Sequence, residues 1–370
     1  MNETIRGTER ILVLNPGSTS TKLALFEGEE CVLSDVIRHS RDELSQFAKV
    51  IDQLEYRRAL VLKFLEDRGV AIESLSAAVG RGGLMKPIVS GTFAVNEEML
   101  EDVRVGVQGE HASNLGAGLA HDIASKAGAP SFVVDPVVVD ELEPVARLSG
   151  MPDIERKSIV HALNVKATAR AVAEGLDRDL AELDLVITHM GGGISVCAIR
   201  HGRMVDVSSA LSAGPMTPER AGTVPTLELV EMCFSGRFTE REMRKKLVGQ
   251  GGLVGYLGTN NAPEVVERIE AGDREAERVL GAMIYQIAKE IGAMATVLGG
   301  HPDAVVLTGG LAHNDYIVER VRARVDFLGR VIVMPGEDEM RALALGCLRV
   351  LRGEETAHEY PCSVDRLEEC

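Results

Sequence analysis

The chain has 370 residues, with 40 Lys plus Arg against 56 Asp plus Glu, a formal net charge of −16. That length exceeds what one hydrophobic core usually organises and predicts two domains. So negative a chain is a poor partner for nucleic-acid backbones or anionic membrane surfaces, and with no Trp and 4% aromatics it offers few platforms for stacking bases.

Residues Met1 to Arg10 lack the apolar core of a signal peptide. No run approaches the roughly 18 apolar residues that span a bilayer, so a cytoplasmic location is expected. The cysteines are scattered, with no Cys-x-x-Cys pair and no His-Glu-x-x-His. Reduced thiols and no structural zinc are the expectation.

From Arg10 the pattern is strand, turn, strand. Ile11 to Leu14 and Leu23 to Phe26 are apolar runs around Asn15-Pro16-Gly17-Ser18-Thr19-Ser20-Thr21-Lys22, and Glu27-Gly28-Glu29 reads as a hairpin tip. The design recurs without a gap 174 residues later: Leu12, Val13, Gly17, Ala24, Leu25 and Gly28 become Val186, Ile187, Gly191, Ala198, Ile199 and Gly202. Two related lobes follow from this, residues 1–150 with 337–370 and residues 151–336. Helices are predicted over Asn114–Ala127, Ser158–Glu174, Thr226–Phe234, Asp273–Leu298 and Glu339–Leu351, the fourth with Met283 and Met294 as core filler. Strands Ser131–Val134, Ala304–Leu307 and Val331–Val333 alternate with them, so the class is α/β with mixed sheets. The polar stretch from Gly353 to Cys370 reads as a surface appendage.

Phosphate recognition needs unobstructed backbone N–H groups, small hydroxyls and a cation. The first turn offers Gly17 for close approach, hydroxyls including Ser18 and Thr19, and Lys22. It is not a P-loop, because Thr21 stands where the second glycine belongs and a strand follows. Gly191, Gly192 and Gly193 are the second candidate, and Gly309-Gly310 after Thr308 a weaker third. No Gly-x-Gly-x-x-Gly joins a strand to a helix, so a dinucleotide fold lacks its motif. Arg81, in Gly80-Arg81-Gly82-Gly83, is flanked by glycines that would clear space for a guanidinium clamping an oxyanion. Arg220 follows the stiff Gly214-Pro215-Met216-Thr217-Pro218-Glu219. His161 shares a helix face with Val165, Ala169 and Val172 and reads equally as a core histidine, whereas His189 lies in the second glycine turn. Asp135 ends a strand before Pro136, as a magnesium ligand or a turn residue would. The run Glu337-Asp338-Glu339 also suits a helix N-terminus.

Taken together, Arg10 to Lys22, Arg81-Gly82-Gly83-Leu84, Val95-Asn96-Glu97, His161-Ala162-Leu163-Asn164, Pro215-Met216-Thr217-Pro218-Glu219-Arg220 and Thr308-Gly309-Gly310 closely resemble, in order, the motifs of the acetate/butyrate kinase family. The Asn-Pro-Gly-Ser-Thr-Ser-Thr-Lys form of the first turn resembles its butyrate kinase branch. The resemblance spans about residues 10 to 352. It implies the duplicated two-lobe, ribonuclease-H-like fold of actin, Hsp70 and sugar kinases. It also implies reversible phosphoryl transfer from ATP to a short-chain fatty acid with Mg2+, and a homodimer or larger homo-oligomer. By that resemblance Asn15, Ser18, Thr19 and Lys22 form the first phosphate loop and Gly191 to Gly193 the second, with Gly309 and Gly310 by the adenosine. Arg81 and Arg220 hold the carboxylate and the moving phosphoryl group, His161 and His189 donate to that group, and Asp135 orients magnesium aided by an acid of the Glu337–Glu339 run, Glu339 first and Asp338 next. His189-Met190-Gly191-Gly192-Gly193 departs from the His-Leu-Gly-Asn-Gly of acetate kinases, so acetate is not the expected acid. Isobutyrate, propionate or acetate as substrate, and a non-catalytic nucleotide-binding regulator of the same superfamily, are the alternatives.

Overall fold

The structure, a computed structural model, describes residues 9–209, 211 and 213–362; the readings made for residues 1–8 and for the end of the tail lie outside the described residues. The chain forms two units, Met1–Asp140 with Asp338–Cys370, and Glu141–Glu337. Each holds one mixed sheet flanked by helices, so the class is α/β as expected.

In the N-terminal unit the strands are β1 (Arg10–Pro16), β2 (Ser20–Glu27), β3 (Glu30–Arg38), β4 (Ala77–Arg81), β5 (Thr92–Ala94) and β6 (Ser131–Val134), ordered β3-β2-β1-β4-β6-β5. In the second unit they are β7 (Asp184–Met190), β8 (Ile194–Arg200), β9 (Arg203–Val207), β10 (Ala304–Gly309) and β11 (Val331–Pro335), and reading from β9 the order is β9-β8-β7-β10-β11. The first three strands of each unit are antiparallel neighbours, and the next two continue the sheet in parallel. The topology is therefore duplicated.

The gapless repeat is corrected by the strand registers. Pro16 pairs with Thr21, but Met190 pairs with Ile194, so the second turn is one residue shorter. The spacing of 174 holds for β1 and β7 only; beyond the turn it is 173. The β-bulges agree, at Leu25/Phe26 and at Ala198/Ile199. The coincidence of Gly28 with Gly202 in an ungapped alignment is thus accidental. A second repeat was not read from the sequence. Ile11 pairs with Ala77 and Leu185 with Ala304, so Gly82-Gly83-Leu84 and Gly309-Gly310-Leu311 are equivalent, and Arg81 occupies the place of Thr308.

Both faces of the first sheet are covered. Helices Leu54–Asp67 and Leu115–Ala127 bury Val61, Leu65, Leu119 and Ile123 with Leu12, Leu14 and Leu25 of the strands, while helix Glu339–Leu351 packs on β1, β4 and β6. The spine of the second unit is helix Arg274–Val297, whose N-cap Asp273 accepts hydrogen bonds from the Glu275 and Ala276 N–H groups. Its stripe, including Met283 and Met294, is buried in the core as the spacing predicts.

Three other expectations change. Helix Ala162–Leu176 begins four residues later than predicted, which places His161 at its N-cap rather than on its apolar face. Residues 353–362 are no appendage: Tyr360 is buried, receives the Lys86 N–H and donates to Asp102 Oδ2, and His358 is bonded to Thr92 and Ala94. Cys362 is disulfide-bonded, whereas Cys31, Cys197, Cys233 and Cys347 are free. No helix among the described residues is long and apolar enough to cross a membrane.

Candidate active site

The first turn is a built loop. The Gly17 N–H donates to Ser20 O at 2.7 Å, and Ser18 and Thr19 are exposed at its tip. Asn15 and Lys22 are register partners on the two strands and so share one face of the sheet. Asn15 is buried and Lys22 exposed. A Cβ on Gly17 would meet nothing closer than 3.6 Å, and its φ is unremarkable. The fold does not itself require glycine there.

Asn15 also opens a polar cluster with Arg81 and Glu339. Its Nδ2 donates to Glu339 Oε2 at 2.7 Å, and Arg81 Nη1 lies 2.8 Å from Glu339 Oε1 and 3.0 Å from Oε2. Arg81 Nη1 also reaches Asn15 Oδ1 at 3.4 Å. The three side chains come from the C-terminal ends of β1 and β4 and the first turn of helix Glu339–Leu351, where Asp338 caps the helix by accepting the Arg341 N–H. In open α/β sheets ligands bind at these carboxyl ends.

The glycines around Arg81 serve packing and not, as expected, space for its guanidinium. A Cβ on Gly80 would sit 2.1 Å from Gly116 O, one on Gly82 2.5 Å from Pro136 and Val133, and one on Gly83 2.4 Å from Asn114 Oδ1. Gly80 lets the sheet and helix Leu115–Ala127 touch backbone to backbone, while Gly82 admits the side chains of Pro136 and Val133 and Gly83 packs on Asn114. Near Arg81, partial desolvation and then the charge of that arginine hold the His111 imidazole below the ordinary range.

Asp135 follows Val134, the register partner of Arg81. It is buried at φ 39°, and its Oδ1 accepts from Ser90 Oγ at 2.6 Å and the Gly91 N–H at 2.8 Å. Among the described residues no group of three or more His, Cys, Asp or Glu side chains is gathered to hold a metal ion.

The second unit assembles its own polar cluster. The rings of His161 and His189 stack at 4.2 Å. His161 Nδ1 is 2.9 Å from Ser195 Oγ, and His189 Nδ1 is 2.7 Å from Asn164 Oδ1. Glu337 Oε2 lies 3.5 Å from His189 Nε2. Ser195 sits in an ordinary strand pattern that carries no signal of its own, and Asn164 is marked in the sequence only as the last residue of the His161-Ala162-Leu163-Asn164 motif. In the glycine turn the Gly191 N–H donates to Gly193 O at 2.9 Å, and Thr217 Oγ1 donates to Gly192 O at 2.7 Å. The same Thr217 hydroxyl accepts the Glu219 and Arg220 N–H groups and so couples the stiff loop to the turn. Burial lowers the pKa of Arg220, opposed by Glu219. Gly309 (φ 87°) packs its Cα on the Met190 backbone and exchanges hydrogen bonds with Gly336. Gly310 has open space where a Cβ would be.

The acetokinase family model matches residues 154–342. The structure is similar to the acetate kinase of Porphyromonas gingivalis (TM-score 0.77, 20% identity, 93% of this chain and 100% of that one). It is similar to a propionate kinase from Francisella tularensis (0.70, 19%, 91% and 98%) and to the acetate kinase of Entamoeba histolytica (0.73, 16%, 91% and 98%). At these identities the likeness speaks for the fold alone, two mixed sheets of duplicated topology flanked by helices. With the family model covering just over half of its residues, this chain belongs to the acetokinase family, the carboxylate kinases.

Proposed function

We propose that this chain is a butyrate kinase: butanoate + ATP gives butanoyl phosphate + ADP, reversibly. A carboxylate oxygen attacks the γ-phosphorus in line, the bond from that phosphorus to the β,γ-bridging oxygen breaks, and ADP leaves with the electron pair. The observation that carries the reading is the Arg81–Asn15–Glu339 cluster: a guanidinium fixed by a carboxylate and an amide at the carboxyl ends of two parallel strands, two residues' reach from the first turn. A carboxylate is already ionised at neutral pH, so the reaction needs no general base. It needs alignment and neutralisation of spread negative charge.

In this reading Asn15, Ser18, Thr19 and Lys22 bind nucleotide phosphates in the N-terminal unit, and Gly191, Gly192 and Gly193 do so in the second. Gly309 and Gly310 flank the adenosine. Arg81 and Arg220 hold the acid and the transferring group, and His161 and His189 donate to it, each oriented through its other contacts with Ser195 and Asn164. Asp135 and Glu339 fit a magnesium site in donor chemistry. Mg2+ commonly takes one or two carboxylates together with phosphates and waters, and Asp135 is a buried carboxylate held in one orientation by Ser90 and Gly91. Magnesium bound with the nucleotide would neutralise phosphate charge.

Butanoate, rather than acetate, rests on the Asn-Pro-Gly-Ser-Thr-Ser-Thr-Lys form of the first turn and on Met190-Gly191-Gly192-Gly193. A homo-oligomer belongs to the same reading. Helix Thr226–Phe234 buries none of its residues and leaves Leu227 and Phe234 78% and 87% exposed; sedimentation of the purified chain checks it. The decisive assay traps acyl phosphate with hydroxylamine across acids of one to six carbons, with ATP and magnesium. Highest turnover is expected with butanoate. A maximum at acetate, propionate or isobutyrate replaces the substrate, and no product with any acid rejects the kinase.

A further inference from the structure

Arg57 lies in the first turn of helix Leu54–Asp67, 1% exposed, and is among the largest fully buried side chains of the chain. No carboxylate among the described residues forms an ion pair with it. Its guanidinium is spent on the first turn instead. Nη1 donates to Gly17 O at 2.8 Å, Ser20 O at 3.0 Å and Thr21 Oγ1 at 3.2 Å, and Nη2 reaches Ser18 O at 3.5 Å. Gln53 Oε1 fixes the fork from the other side, accepting from Nε at 3.1 Å and Nη2 at 2.8 Å. Burying an unpaired cation is costly, so a neutral side chain would serve a plain packing role better.

The peptide group explains what the arrangement does. In a trans peptide the C=O and the following N–H point in opposite directions. Drawing the Gly17 and Ser18 carbonyls inward onto Arg57 turns the Ser18 and Thr19 N–H groups outward, to the exposed tip. Successive N–H groups on one side of a turn make an anion-binding concavity. The positive charge behind them has only a neutral amide, a hydroxyl and carbonyl dipoles to screen it.

We propose that Arg57 is a positioning residue for the nucleotide phosphates: it aims the Ser18 and Thr19 amides outward and leaves an uncompensated positive charge beneath the loop. The inference rests on the proposed function, because it takes the ligand of this loop to be ATP.

The test measures ATP binding by calorimetry, and the KM for ATP and for butanoate, in wild type, Arg57→Lys and Gln53→Glu. Gln53→Glu keeps the shape of the acceptor and the fork but places a carboxylate against the guanidinium. A merely structural contact would be kept or strengthened by it. Expected are unchanged or raised thermal stability in Gln53→Glu, ATP binding weakened about tenfold, and butanoate KM within twofold of wild type. Arg57→Lys keeps charge and loses the fork, and is expected to weaken ATP binding by a similar factor. ATP affinity within twofold of wild type in Gln53→Glu overturns the inference while leaving the function standing, and so does a butanoate KM that rises in step with that of ATP. If Arg57→Lys does not fold, Gln53→Glu alone decides. Wild-type protein that binds no ATP overturns the function and this inference with it.

Discussion

The guanidinium of Arg220 packs directly on the backbone of Gly193: a Cβ on that glycine would lie 2.2 Å from Nη1 and 2.7 Å from Cζ. The second glycine turn and the loop bearing Arg220 are therefore one device. The third glycine is there to seat an arginine, whereas a Cβ on Gly192 would meet nothing nearer than the Glu219 carboxylate at 3.6 Å.

Gly193→Ala is accordingly expected to displace Arg220 and to lower kcat by about 10²-fold, close to the loss in Arg220→Ala, since removing one preoriented charge-stabilising donor costs on that order. Combining the two changes should add little, because both remove the same interaction. Steady-state kinetics on the single and double variants, with circular dichroism to verify folding, read this. Fully additive losses would contradict a shared device.

Arg81→Ala removes the proposed oxyanion clamp and leaves Glu339 and Asn15 facing each other. kcat/KM for the acid is expected to fall by about 10³-fold with the melting temperature within a few degrees of wild type. Glu339→Gln should cost less, because Arg81 keeps its charge and a neutral acceptor. Near-normal activity in Arg81→Ala would remove the arginine from the mechanism.

His39 makes the N-terminal unit acid-sensitive. It is buried, 2.9 Å from Thr21 Oγ1 through Nε2, and burial followed by the charge of Arg57 lowers its pKa to about 4. The unfolded chain, with a value near 6.5, binds the proton more readily than the folded one. The contribution is whole above pH 6.5 and is lost as the pH falls towards 4. Urea unfolding at pH 7 and pH 5 should show wild type losing about 2 kcal/mol more than His39→Gln. Equal losses in the two proteins would show that His39 does not carry the effect.

The free thiols divide by burial. Cys31 and Cys233 are exposed, while burial pushes the Cys197 thiol up to about 12 and raises that of Cys347 as well. Brief alkylation of native protein at pH 8 followed by peptide mapping should label Cys31 and Cys233, and should reach Cys197 and Cys347 only in denaturant, because the thiolate is the nucleophile. Labelling of Cys197 in native protein would show that β8 opens locally.

Much of the candidate site is legible because its sequence signals are local. A turn of eight small or polar residues, a glycine triplet after a strand and an arginine among glycines each advertise themselves in a few consecutive positions. The reasons were less legible. The glycines around Arg81 looked like clearance for a guanidinium, and Gly80 and Gly82 instead admit Gly116, Pro136 and Val133. His161 looked like a core histidine because helical spacing extends smoothly through it, yet the helix starts one residue later and leaves its ring to stack on His189. Arg57 had no signal at all, being one charged residue on an ordinary amphipathic helix.

By itself the sequence determined the alternation of strands and helices, the family resemblance and the turns whose residue types suit anions, because periodicity and turn chemistry act over a few neighbouring residues. Only the tertiary structure decided the one-residue difference between the two hairpins, the burial of Tyr360 and Cys362, and the meeting of Asn15, Arg81 and Glu339. Those outcomes depend on strand register and backbone contact between segments up to 324 positions apart, and no local pattern encodes which distant partner a side chain will find.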